Sequence, residues 1–114
     1  MIDRQQFNDM YSQLDRENVV ELIDIFLAEY EEQCSRVRRH VEEKNLLLLR
    51  ESAHKLKGAL LLFMDPVSIQ LSKRLVEMAR NGSESGIADL YEELEKKIAI
   101  LVEELMVIRK ELIS

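Results

Sequence analysis

The sequence predicts an all-α fold, an antiparallel up-down four-helix bundle with a short extra N-terminal helix, and three observations carry that expectation. Apolar residues recur at alternating three- and four-residue steps along most of the chain, which puts them on one face of successive helices. Only one Pro and three Gly interrupt the 114 residues, too few breakers for a protein of many short strands. No segment alternates apolar and polar residues with the period of a half-buried strand.

The elements follow in order. Asp3 can cap a first helix whose apolar positions Phe7, Met10, Tyr11 and Leu14 are helically spaced, with an end near Leu14. A second helix begins about Asp15, and its stripe is Val19, Ile23, Phe26, Tyr30, then Cys34 or Gln33, Val37 and Val41. Glu42-Glu43-Lys44-Asn45 is polar and ends in a residue that tolerates left-handed geometry, so it reads as the connection to a third helix. The third helix buries Leu46, Leu49, Ala53, Leu56, Leu60 and Phe63. It stops near Met64, because Asp65-Pro66 is a strong helix start: Asp accepts from an unpaired amide, and Pro fits the first turn, where its missing N–H costs nothing. The fourth helix runs to about Arg80 and buries Leu71, Leu75 and Met78. Asn81 to Gly86 supplies a terminating glycine and serine caps. The last helix, from about Ser85 to near Ile113, has the cleanest stripe: Ile87, Leu90, Leu94, Ile98, Leu101, Leu105, Ile108 and Leu112. Four long helices with short connections imply antiparallel neighbours.

Size and composition bound the function. A chain of 114 residues supports one domain, residues 1–114, with a single core. Hydrophobic residues at 46% and charged residues at 33% exclude the disordered class. The net charge of −6, with no basic tail, argues against nucleic-acid binding, which requires a basic face. The apolar runs Leu46 to Leu49 and Ala59 to Met64 fall far short of the roughly 20 residues that span a bilayer, and the N-terminus lacks signal-peptide order. A single cysteine, Cys34, fits a reducing cytoplasm and reads as a small packing residue.

The chemistry concentrates in Ala53-His54-Lys55-Leu56-Lys57-Gly58. A lone helical histidine is usually structural or merely solvated, but these neighbours favour a phosphate carrier. The imidazole, with an unperturbed pKa of about 6.5, is a competent nucleophile near neutral pH. Lys57, three residues on, projects to the same face, whereas Lys55 lies about 100° round the helix and is auxiliary. Gly58 costs about 1 kcal/mol relative to alanine inside a helix. Close helix packing would account for it; so would removal of a side chain where a partner must approach. Leu47, Leu61 and Leu62 lie near the histidine row with Arg50, either partly buried or forming an apolar docking ring around a polar centre. His40, among Arg38, Arg39 and Glu42, reads as an inert residue on a solvated face. No metal-ligand spacing, Glu-x-x-His pair, Gly-rich phosphate loop, nucleophile elbow or kinase signature is present.

Ala53, His54, Leu56, Lys57 and Gly58 match the Ala-His-x-Leu-Lys-Gly signature on the second long helix of histidine-containing phosphotransfer (HPt) domains. The acidic-apolar run Glu21-Leu22-Ile23-Asp24-Ile25-Phe26-Leu27 sits one helix upstream, as in that family, and the resemblance covers nearly the whole chain. It implies a cytoplasmic, monomeric phosphohistidine carrier of two-component phosphorelays. His54 would accept a phosphoryl group from a receiver-domain aspartate and pass it to another receiver. Lys57, with Lys55 in support, would neutralise the phosphate, and Gly58, Arg50 and Leu61 would meet the receiver. The implied partners are response-regulator receiver domains and a hybrid sensor histidine kinase. No cofactor of its own is implied, because Mg²⁺ comes with the receiver, and no independent catalytic activity is expected.

The chain departs from the family pattern in places. Ala59, Leu60 and Met64 replace the small residues and second glycine that often follow the Lys-Gly pair. Val76 stands where some members place a glutamine that holds the imidazole, which leaves Lys73 and Glu77 as candidates for orienting the ring. The alternatives are a bundle that docks receivers or kinases without carrying phosphate, a plain scaffold or oligomerisation domain, and a piece of a larger hybrid kinase; Met1 and the capped first helix suggest a natural start.

Overall fold

A computed structural model describes all residues, Met1–Ser114. Helix α1 (Arg4–Met10) leads into α2 (Arg16–Glu42), α3 (Leu46–Leu60) with a 3₁₀ turn at Leu61–Phe63, α4 (Pro66–Asn81) and α5 (Ile87–Ile113). Each long helix packs on its two neighbours around a ring, α2 on α3, α3 on α4, α4 on α5 and α5 back on α2, as an up-down bundle with short connections requires. The molecule measures 45 × 23 × 19 Å, and 27-residue α2 and α5 set its long axis.

The starts of α1 to α4 are the predicted ones. The Asp3 carboxylate accepts from the Gln6 amide at 3.0 Å, Asn45 accepts from Leu48 at 3.1 Å and Asp65 from Val67 at 3.3 Å, with Pro66 opening α4. At the other end of α4, Gly82 takes a left-handed φ of 73° that lets the chain leave the helix without steric cost. Helix α1 is shorter than its apolar spacing suggests. Tyr11 ends it, the Leu14 amide turns back to the Tyr11 carbonyl, and Met10 and Leu14 stay exposed because a helix of seven residues presents only Phe7 fully to the bundle. The left-handed residue between α2 and α3 is Lys44, one position before the one expected, since Asn45 is needed as the cap. Gly86, not a serine, stands at the N-cap of α5.

The stripes converge on one core. Ile23, Val37, Leu49, Leu56, Leu60, Leu75, Leu94, Leu101 and Leu105 are fully enclosed, and Phe26 meets Phe63 edge-on at 5.0 Å between ring centres. Met78, Leu46, Tyr30, Val41 and Leu112 are half-buried at its margin. Cys34, rather than Gln33, occupies the buried step of α2. Burial pushes its thiol up to about 11, which keeps it protonated and unreactive near neutral pH, and its carbonyl accepts the Tyr91 hydroxyl at 2.8 Å.

His40 corrects the sequence reading, since it is buried and not solvated. The turn of α2 that presents Val37 inward also carries residue 40 inward, where α3 offers Ser52, a small hydroxyl 2.8 Å from the His40 Nδ1. A buried imidazole needs such a partner. On the opposite margin, Arg109 of α5 reaches Asp24 of α2 through both Nε and an Nη, at 2.5 and 3.3 Å, and that bond holds the Asp24 carboxyl below its ordinary range. No helix is long and apolar enough to cross a membrane.

Candidate functional site

Helix α3 is held on both sides. Leu49, Ala53, Leu56 and Leu60 lock one face into the core, so the opposite face is a rigid platform with its Cβ positions fixed by packing against α2 and α4. His54 stands on that face, exposed, midway along the helix. The only histidine ring in the chain with a hydrogen bond is that of His40. The His54 imidazole is therefore free on both nitrogens, available to solvent and to an incoming group.

Gly58 lies one turn beyond. A Cβ built there meets no heavy atom within 4 Å, so no neighbouring helix requires the missing side chain. Close packing does not explain this glycine. Its φ is not positive either, since Gly82 and Gly86 are the glycines in the left-handed region. What remains is an open window over the backbone next to the imidazole. Lys57 is half-buried and Lys55 exposed; a lysine whose stem lies along the bundle can still extend its ammonium outward.

On the α4 side, His54 lines a shallow groove of about 340 Å³ together with Leu47, Arg50, Glu51, Val76 and Arg80. Arg50 falls one turn before His54, and it joins the imidazole as the sequence suggested. Val76 occupies the facing position on α4 and is buried, so its isopropyl group forms an apolar floor that makes no bond to the ring. Lys73 and Glu77 are exposed on α4 outside this groove; neither orients the imidazole. Arg80 is the groove residue that the sequence reading missed. The signal was present in its spacing, since Arg80 lies one helical turn after Val76 and so must share its face.

Exposed leucines also flank this centre. Leu47 is 70% exposed, Leu61 46% and Leu62 36%, and Leu62 continues into a second groove between α2 and α3 floored by Leu22, Ile25, Phe26 and Ala59. Leu61 and Leu62 are outward because the 3₁₀ turn tightens the chain after Leu60 while Phe63 alone turns into the core. The Tyr11 hydroxyl donates to the Leu62 carbonyl at 2.6 Å and fixes this turn. An exposed imidazole, flanking cations, an open glycine and three exposed leucines thus share an open surface rather than an enclosed pocket.

No three His, Cys, Asp or Glu side chains converge to hold a metal ion. No curated protein and no solved structure matches the chain. The Hpt domain family model matches residues 21–106, from the acidic-apolar run of α2 through the histidine, the glycine and most of α5, and the chain therefore belongs to the Hpt domain family, whose members serve phosphotransfer in phosphorelays.

Proposed function

We propose that residues 1–114 act as one phosphocarrier unit in a cytoplasmic two-component phosphorelay, with His54 as the acceptor. One observation carries the reading: His54 is exposed, unbonded and rigidly mounted, beside a glycine whose missing side chain has no internal purpose. A ring nitrogen attacks the phosphorus of an aspartyl phosphate on a receiver. The P–N bond forms as the acyl P–O bond breaks, the aspartate carboxylate keeps the bonding pair, and the other ring nitrogen sheds its proton to water. Transfer to a second receiver runs the same step in reverse.

The division of labour follows from what the chain presents. Phosphoryl transfer has a loose transition state in which positioning and charge neutralisation do most of what a protein can do. His54 supplies position, Lys57 with Lys55 supplies positive charge, and Gly58, Arg50 and Leu61 supply the surface on which a receiver sits. The receiver brings Mg²⁺, which offsets charge on the transferring oxygens within the complex. On this reading the chain has no catalytic activity of its own and works as a monomer, with receivers and a hybrid sensor kinase as partners.

The test is incubation with a phosphorylated receiver and Mg²⁺, followed by assay for a phosphate that is acid-labile and base-stable. Wild type is expected to take the label and His54→Gln to take none, with stability changed by no more than about 0.5 kcal/mol, as for other exposed substitutions. Equal labelling of both would move the acceptor to another residue. Receiver binding with no label on wild type would reduce the domain to a docking module.

A further inference from the structure

The groove beside His54 holds two arginines that no carboxylate engages. Arg4, Arg36, Arg38 and Arg109 each pair with a carboxylate. Arg16, Arg39, Arg74, Arg50 and Arg80 pair with none, and of these only Arg50 and Arg80 share a groove with His54. They come from different helices, α3 and α4, and line the same groove as the imidazole. Between them lies Val76, which offers the ring no polar contact. The groove thus lacks a group to hold the imidazole but has two free guanidinium groups where an anion attached to it would project.

We propose that Arg80, with Arg50, clamps the phosphoryl group on His54 across the α3–α4 groove, and that this clamp, in place of a hydrogen bond to the ring, sets the lifetime of the phosphorylated state. The inference rests on the phosphocarrier reading. A phosphorylated side chain carries about two negative charges near neutral pH. Of the charged groups lining the groove, Arg50 and Arg80 oppose that charge and Glu51 adds to it. Removing Arg80 leaves the groove without net positive charge. Guanidinium is suited to the task because its planar fork bonds two phosphate oxygens at once and cannot lose its proton. Hydrolysis breaks the P–N bond once the ring gains a proton, so that neutral imidazole leaves and water takes the phosphoryl group. A fixed positive charge beside the ring opposes that protonation. The clamp therefore slows loss to water, while a receiver that brings its own metal draws the phosphoryl group away.

Arg80 also lies in the last turn of α4, where any cation favours the helix dipole by about 0.3–1 kcal/mol. That role predicts a change in melting temperature and none in phosphate lifetime, so the two are separable. The chain is labelled from a phosphorylated receiver with Mg²⁺, or from phosphoramidate, then freed of donor and metal, and decay of the label is followed alone at neutral pH. Arg80→Ala is expected to shorten the half-life about three- to tenfold, the effect of one exposed charge-assisted contact, and to move the ³¹P resonance. Arg80→Lys should recover part of the lifetime. Wild-type lifetime in a folded, labelled Arg80→Ala overturns the clamp, and if that variant also transfers more slowly from receivers, Arg80 contacts the receiver instead. Failure of wild type to take label on His54 from either donor overturns the phosphocarrier reading and the clamp with it.

Discussion

Replacing Gly58 separates the two reasons a helix can contain a glycine. A Cβ at this position meets nothing within 4 Å, so Gly58→Ala introduces no clash and gains helix propensity of up to about 1 kcal/mol. The position lies in the last turn of α3, just before the 3₁₀ turn, where propensity counts for less than mid-helix, so about half of that is expected. A melting entropy of about 2.1 cal/mol/K per residue over 114 residues gives about 0.24 kcal/mol/K. Half a kcal/mol then raises Tm by about 2 °C. Glutamine retains roughly half of alanine's advantage over glycine, so Gly58→Gln should melt no lower than wild type.

Phosphotransfer should respond in the opposite sense. The glutamine side chain rises over the face that carries His54, one turn away, and holds a receiver's aspartyl phosphate out of reach of the imidazole. A misplacement of 1 Å costs on the order of 100-fold in a reaction that depends on position. The assay pairs thermal denaturation with the rate of label transfer from a phosphorylated receiver under single-turnover conditions. Stability held or raised with transfer slowed at least tenfold is the expected pair. A Tm lowered by several degrees in Gly58→Ala would refute the open-space argument. A folded Gly58→Gln that transfers at the wild-type rate would show that receivers do not approach over this turn.

Three further outcomes follow from the remaining structure. Ser52→Ala strands the buried His40 imidazole at a cost of about 1–3 kcal/mol, read as a Tm drop, while labelling of His54 persists. With its thiol pushed up to about 11, Cys34 exposes about two hundredfold less thiolate at pH 8 than a free cysteine, so alkylation should be slow until the protein unfolds; because folding raises this pKa, the stability it contributes is complete below about pH 8.5 and declines as pH rises toward the folded value. Asp24, held down by Arg109, should titrate below the ordinary carboxylate range by NMR and return to it in Arg109→Ala; its contribution is present above about pH 3.9 and fades as pH falls through the lowered folded value.

Sequence reading succeeded where one helix's own periodicity decides the outcome. The α5 stripe from Ile87 to Ile108 is buried throughout, and His54, one step off the α3 stripe, is exposed as that step requires. It fell short where the deciding neighbour belongs to another helix. His40 looks solvated among Arg38, Arg39 and Glu42 until Ser52 is set against it, twelve residues away across the α2–α3 turn. Arg80 joins the His54 groove through the packing of α4 on α3; its spacing from Val76 shows the shared face but not what that face meets. The early end of α1 reflects the same limit, since the spacing of Met10 and Leu14 is helical but nothing is left for them to pack against.

Fold and function occupy different faces of α3, and the local rules are broken only on one of them. On the core face Leu49, Ala53, Leu56 and Leu60 agree with helix propensity, patterning and packing. On the other face, a glycine sits in a helix with nothing against it. A leucine is 70% exposed, and two unpaired arginines from different helices share one groove. Each departure is tolerable alone, and scattered single exposures need no explanation. Their convergence within about two helical turns of one unbonded imidazole does need one. A surface selected only for stability would place alanine at 58 and a polar residue at 47. The chain forgoes both beside His54, as the proposed approach of a phosphorylated receiver over this face requires.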